Sequence, residues 1–193
     1  MNKSIRIWVE GTIIAALAMV LSLIPLDIGA SFSISLGQIP LTIFALRRGW
    51  KPGLAAGAIW GLLHFPMGKV WYLSVIQVLI EYPIAFTFAG LAGLYAVKLK
   101  REIGKDNSNK IKLTLIQGAF AGALARYFWH FVAGWVFWGS YAQWGMKPWL
   151  YSLVMNSASG LATAVTTAVV VVLSYTLAPQ LFTPKATNSL SSN

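Results

Sequence analysis

From Leu113 to Gly139 the chain is apolar over a length that can cross a bilayer, yet this run carries Arg126 and His130 in its interior. A bilayer-spanning segment needs about 20 mainly apolar residues and, with no water to satisfy its backbone, it has to be helical. Ionisable side chains are rare at that depth and mark sites or pairs. At helical spacing Arg126, His130, Gly134 and Trp138 follow one another at i, i+4, i+8 and i+12, forming one ridge on one face. Gly134 leaves a gap in the ridge, with His130 below it and Trp138 above it, into which a flat ligand fits. The same gap also suits the close approach of a neighbouring helix, with the aromatics as packing.

The rest of the composition agrees with a membrane protein. The 193 residues are 57% hydrophobic and 10% charged, and the mean hydropathy is +0.66, outside the range of a soluble domain. A net charge of +10 would suggest nucleic acid in a soluble protein, but the basic residues fall in the short gaps between apolar runs. They read as topology signals, and no nucleic-acid partner is implied. The absence of cysteine excludes disulfides and thiol chemistry. Lys3 and Arg6 precede an apolar run with Ala16 and Ala18, which resembles a signal peptide. The run continues to Ile24, however, so it reads as a retained first helix.

Taken in order, apolar runs cover roughly 7–25, 39–46, 53–66, 70–97, 113–139 and 149–177. The second and third are short and broken by Gly and Pro, the pattern expected where helices break around a midplane site. The segment 26–38 reads as a loop or lid and the basic stretch Lys98 to Lys112 as the main loop. The fold expected is all-α, a single bundle of six transmembrane helices over 1–178, with a polar cytoplasmic tail over 179–193. Lys3, Arg6, Arg47, Arg48, Lys51, Lys98, Lys100, Arg101, Lys105, Lys110, Lys112 and Lys185 fall on one side of such a bundle, against Lys69 and Lys147 on the other. That bias puts both termini in the cytoplasm. A Gly/Ala echo relates Gly53 to Ala58, ahead of His64, to Gly118 to Ala123, ahead of His130, and chance suffices to explain it.

Only Glu81, Arg126 and His130 are ionisable and deep in these runs, with His64 nearer an end. A buried carboxylate needs a partner, and Glu81 has two candidates: an ion pair with Arg126, or a ligand. Aromatics are plentiful, and Trp71, Tyr72 and those beyond residue 138 suit an interfacial belt. Aromatic faces beside an acid also suit a flat cation, and Asn156, near Tyr151, offers an amide to a ring nitrogen. There is no His-Glu-x-x-His, no Gly-x-Ser-x-Gly and no phosphate-binding Gly-x-x-x-x-Gly-Lys-[Ser/Thr], so no metal site, cofactor site or ATPase is indicated.

Over nearly the whole helical region the chain resembles the thiamin-specific substrate-binding components of energy-coupling factor transporters. The most specific matches are Glu81-Tyr82, the stretch Arg126-Tyr-Phe-Trp-His130-Phe-Val-Ala-Gly134-Trp-Val-Phe-Trp138, and Tyr151 with Asn156. The resemblance implies that Glu81, His130, Trp138, Tyr151 and Asn156 surround an aminopyrimidine, and that Trp60, Trp71 and Tyr82 lie near the thiazolium and hydroxyethyl end. The family often has Lys where this chain has Arg126. It further implies a transmembrane coupling subunit met through small residues of helix one, here Gly11, Ala15 and Ala18, and two cytoplasmic ATPase subunits. The residues alone leave two rivals, a binding component for another vitamin and an intramembrane enzyme using Glu81 with His130 and His64.

Overall fold

The computed structural model describes residues 2–28 and 31–183. Helix α1 runs Lys3–Ser22, started by the Asn2 side chain accepting from the Ser4 N–H. A two-residue antiparallel pair follows, Asp27–Ile28 with Phe32–Ser33. Helices α2, Gln38–Arg48, and α3, Trp50–Leu63, are separated only by Gly49, whose φ of 100° lies in the region that glycine adopts without strain. Then come α4, Val75–Gly104, α5, Ser108–Val136, and α6, Pro148–Leu177. Of these, Ser4–Ser22, Val75–Gly104 and Pro148–Leu177 are long and apolar enough to cross a membrane by length and composition.

The helices overrun the apolar runs at one end of the bundle. Helix α4 continues to Gly104 instead of stopping at 97, and α5 begins at Ser108 instead of 113, so the expected main loop shrinks to a tight connection. Counting apolar residues misses such ends, because Lys100 and Arg101 face water and Lys98 Nζ donates to Gln117 Oε1 at 2.8 Å, while Leu99 is fully buried. Leu99 packs with Leu46, Ile111, Leu115, Val171 and Phe182. Phe182 lies beyond the expected domain limit at 178, after a short 3-10 turn over Pro179–Leu181, and is fully buried. The rest of the polar tail, 184–193, lies outside the described residues.

Helix α4 changes period twice. Pro83 supplies no N–H to the helical ladder, and the chain accommodates it with a π-helical stretch over Ile80–Ile84. Farther on, Gly90–Tyr95 is 3-10. From the wide turn to the start of the 3-10 stretch α4 is gripped from two sides. Gly53, Gly57 and Gly61 of α3, four residues apart, lie so close that an added Cβ would sit 2.7 Å from the Gly90 carbonyl oxygen, 2.3 Å from that of Phe86 and 2.4 Å from that of Tyr82. From α5, Gly122 approaches the Ala89 carbonyl oxygen in the same way, at 2.5 Å. The Gly/Ala echo in the sequence thus corresponds to two close-packing seams on one helix.

The small residues of α1 lie differently from the expected docking face. Ala15 and Ala18 are fully buried in the core with Met19, Leu41, Phe44 and Trp60. Gly11 packs against Phe44, 3.1 Å from the position of an added Cβ. All three admit α2 and α3 to α1, so the bundle itself takes up the face that the sequence assigned to a partner. The surface of α1 left exposed carries Ile5, Trp8, Val9, Ile13 and Leu17.

Candidate functional site

The wide turn in α4 places Glu81 half-buried at one end of the bundle, opposite the end of α5. Helix α5 stops at Val136, so Trp138 lies past the helix, and its indole Nε1 donates to Glu81 Oε1 at 2.6 Å. The other carboxylate oxygen accepts from Gln77 Nε2. Gln77 is fully buried and also ties down residues 71–73: its Nε2 donates to the Trp71 carbonyl oxygen at 3.0 Å, and its Oε1 accepts from the Leu73 N–H at 3.0 Å. Tyr82 OH accepts from the Trp71 N–H at 2.9 Å. Trp71 itself is 76% exposed, so its side chain stands at the rim while its backbone closes the connection. Gln77 was absent from the sequence-based site; its position four residues before Glu81, one turn away on the same face, was the available signal.

The ion pair between Glu81 and Arg126 is absent. Among the described residues Glu81 has no cationic side chain within 4 Å, and its two partners are neutral N–H donors. Arg126 is 6% exposed and lies against three rings, with its guanidinium carbon 4.1 Å from the Phe86 centroid, 4.9 Å from Trp60 and 5.2 Å from Tyr127. Cation–π attraction compensates part of its desolvation; among the described residues its Nε and Nη1 have no hydrogen-bond partner. Trp60 supports this cluster from inside the core, fully buried, with its edge against Phe86 and its Nε1 donating to Ser22 at 3.2 Å. It is a buttress rather than a wall open to a ligand.

His130 is partly buried beside Tyr127 and Phe86, with ring centroids 5.5 and 5.9 Å away, and among the described residues its Nε2 has no hydrogen-bond partner. His64 donates from Nδ1 to the Trp60 carbonyl oxygen at 3.0 Å. Among the described residues no three His, Asp or Glu side chains gather as a metal site would require. The gap at Gly134 is filled by α6: an added Cβ would lie 2.4 Å from Ser152 Oγ and 3.2 Å from Asn156 Nδ2. Gly134 is therefore a helix–helix contact, and the ridge ends there. Asn156 Nδ2 donates to the Ser152 carbonyl oxygen at 3.0 Å, and among the described residues its amide oxygen has no partner.

A strap crosses α6 beside these residues. Ser31 Oγ hydrogen-bonds Tyr151 OH at 2.8 Å, the Ser33 N–H donates to Ser159 Oγ at 3.1 Å, and the Ser35 N–H donates to Thr163 Oγ1 at 3.1 Å. Residues 31, 33 and 35 alternate as an extended chain requires, and their partners on α6 step along one face at roughly helical spacing. The loop read as a lid from the sequence is thus tied along α6, with Tyr151 at the tie nearest the site. The serine alternation in 31–35 was the signal for it.

Set side by side, Glu81, Tyr82, Arg126, His130 and Trp138 come from α4 and the end of α5, while Tyr151 and Asn156 come from α6 across the strap. The family described as thiamine transporter protein (Thia_YuaJ) matches residues 8–183. The chain is 40% identical over 194 aligned residues to thiamine transporter ThiT of Lacticaseibacillus paracasei, covering 98% of this chain and 96% of the relative. It is 30% identical to ThiT of Bacillus subtilis over 186 residues, covering 94% and 97%. A solved structure of ThiT from Listeria monocytogenes superposes with a TM-score of 0.92 at 44% identity, covering 95% of this chain and all of that one. With helices, site-bearing segments and both ends of the match accounted for, the chain belongs to the thiamine transporter protein family.

Proposed function

We propose that this chain is the thiamin-capturing subunit of an energy-coupling factor uptake transporter, in which a transmembrane coupling subunit and two cytoplasmic ATPase subunits supply the drive. The observation that carries the reading is Glu81: a half-buried carboxylate held by two neutral donors and by no cation within 4 Å among the described residues. Thiamin supplies what this carboxylate lacks: an amino donor on its aminopyrimidine for Glu81 and, one ring away toward Tyr82 and Trp71, a thiazolium cation that offsets the charge. Glu81, His130, Trp138, Tyr151 and Asn156 take the aminopyrimidine; Tyr82 and Trp71 lie toward the thiazolium end, with Arg126 and Trp60 behind them. The stacking face is Trp138 itself, without a gap at Gly134. No bond of the ligand is broken, and the chain acts by binding.

A panel of vitamins tests this directly. A ligand at about 100 times Kd adds about 2.7 kcal/mol to the stability of a one-site binder, so thiamin raises the melting temperature and quenches tryptophan fluorescence while unrelated vitamins do neither. Trp138→Ala weakens thiamin binding by about 1–3 kcal/mol, by analogy with stacking of bases on aromatic side chains. Stabilisation by another vitamin and not by thiamin overturns the assignment. An unchanged Kd in Trp138→Ala returns that side chain to the interfacial belt.

The topology that goes with this function has six passes, both termini in the cytoplasm, and 26–38, 67–70 and 140–148 facing outward. It rests on the Lys and Arg bias. The chain is free of cysteine, so Ser108→Cys creates a single label site at an exposed position. An impermeant reagent added outside intact cells leaves it unmodified. Labelling from outside rejects the orientation.

A further inference from the structure

A second surface feature lies at the N-terminal end of α1, away from the residues around Glu81. Arg6, Val9, Glu10, Ile13 and Ile14 follow at i, i+3, i+4, i+7 and i+8 on one face of the helix, and with Arg47 of α2 they line a groove of about 390 Å³. The groove is graded. At one end lies Arg6, with Arg47 against Glu10 one turn farther in; about 10 Å from Arg6 along the helix, at 1.5 Å per residue, lies Ile13, which is 62% exposed, with Val9 between at 47%.

The charges do not cancel. The Glu10 carboxylate is already shared, taking Arg48 Nε at 2.9 Å and Arg47 Nη1 at 3.3 Å. Among the described residues Arg47 Nε is buried with no hydrogen-bond partner and Arg6 makes no ion pair. Arg6, Arg47 and Arg48 against Glu10 therefore leave a positive excess at the end of a helix that is long and apolar enough to cross a membrane. Charge at that end and apolar side chains one to two turns farther in reproduce the profile of a phospholipid, headgroup first and acyl chain after.

We propose that this groove is a binding site for an anionic glycerophospholipid, with the phosphate between Arg6 and Arg47 and one acyl chain lying over Val9 and Ile13. The excess charge selects an anionic headgroup over a zwitterionic one. The exposed apolar stretch makes the chain part of the recognition, so a free phosphate does not substitute.

The test uses the full-length protein in neutral detergent, titrated with phosphatidylglycerol, phosphatidylcholine or water-soluble glycerol phosphate, with bound lipid counted by native mass spectrometry. Phosphatidylglycerol is expected to be retained and phosphatidylcholine and glycerol phosphate not. Arg6→Gln breaks no ion pair, and it lowers phosphatidylglycerol affinity about fivefold, as expected for one basic residue near a lipid surface. Arg47→Gln lowers it further, with retained thiamin binding as the check on folding. Equal retention of phosphatidylglycerol and phosphatidylcholine, or an Arg6→Gln variant with unaltered lipid preference, overturns the proposal. If Arg6→Gln spares lipid preference but weakens capture of the coupling subunit, the groove belongs to that protein and the lipid assignment fails.

Discussion

Glu81→Gln weakens thiamin binding by roughly 1.5–3 kcal/mol, about ten- to hundredfold in Kd, while the melting temperature moves little. The amide keeps the shape of the side chain and one acceptor for Trp138 Nε1, which now donates at 2.6 Å. Gln77 loses one bond but keeps its donation to the Trp71 carbonyl oxygen, so the cost to folding is about that of a single hydrogen bond, 0.5–1.5 kcal/mol. The cost to binding is larger because the negative charge facing the ligand is gone. Had Glu81 paired with Arg126, the order would reverse, since breaking a buried pair leaves an uncompensated charge and costs about 3–5 kcal/mol of stability. Titration and melting of Glu81→Gln beside Arg126→Gln separate the two. A destabilised Glu81→Gln variant with unaltered affinity defeats the ligand role.

The second large effect comes from a single methyl group far from any ligand. Gly90→Ala puts a Cβ 2.2 Å from the Gly53 carbonyl carbon, 2.3 Å from the Leu54 nitrogen and 2.4 Å from the Gly53 carbonyl oxygen. All three are backbone atoms, so no side chain can rotate away, and α3 and α4 have to separate. Overpacking of this kind costs typically 1–3 kcal/mol and occasionally more; three contacts this short on the α3 backbone put Gly90→Ala at about 3 kcal/mol or above. Because the same seam holds Tyr82 and Phe86 against Gly61 and Gly57, thiamin affinity falls with the melting temperature. Gly104→Ala is the control, as an added Cβ there meets nothing within 4 Å. Unchanged melting of Gly90→Ala would mean that the seam is looser than described.

These seams show what the sequence disclosed and what it concealed. The repeated Gly/Ala pattern of Gly53 to Ala58 and Gly118 to Ala123 was visible, but one chain read alone gives no sign that both patterns meet the same helix. Apolar runs located the middles of α1, α5 and α6, because bilayer thickness fixes a minimum length. They failed at the ends of α4 and α5, where Leu99 and Ile111 are buried among exposed lysines. Gly11, Ala15 and Ala18 were recognisable as a close-packing face, but small size does not say which neighbour approaches. The isolated acid at Glu81 was plain in the sequence. Its partners were not, since Trp138 lies 57 positions away and reaches Glu81 only because α5 stops at Val136.

The π-helical turn over Ile80–Ile84 makes α4 a jointed element. Its lower part is fixed in rotation by glycine seams on two sides; the turns above carry Gln77 and lead into Trp71 and the rim. A π-helical turn goes round with about one residue more than the 3.6 of an α-helical turn, so the extra residue is absorbed within Ile80–Ile84 and the turns on either side keep their facing. Removing one residue from the wide turn would restore an ordinary helix, leave Gln77 and the seams nearly where they are, and take away the local bulge that sets Glu81 toward Trp138. The joint confines a change in chain length to the few positions beside Trp138, so the site can be altered there without disturbing the packing that holds the span.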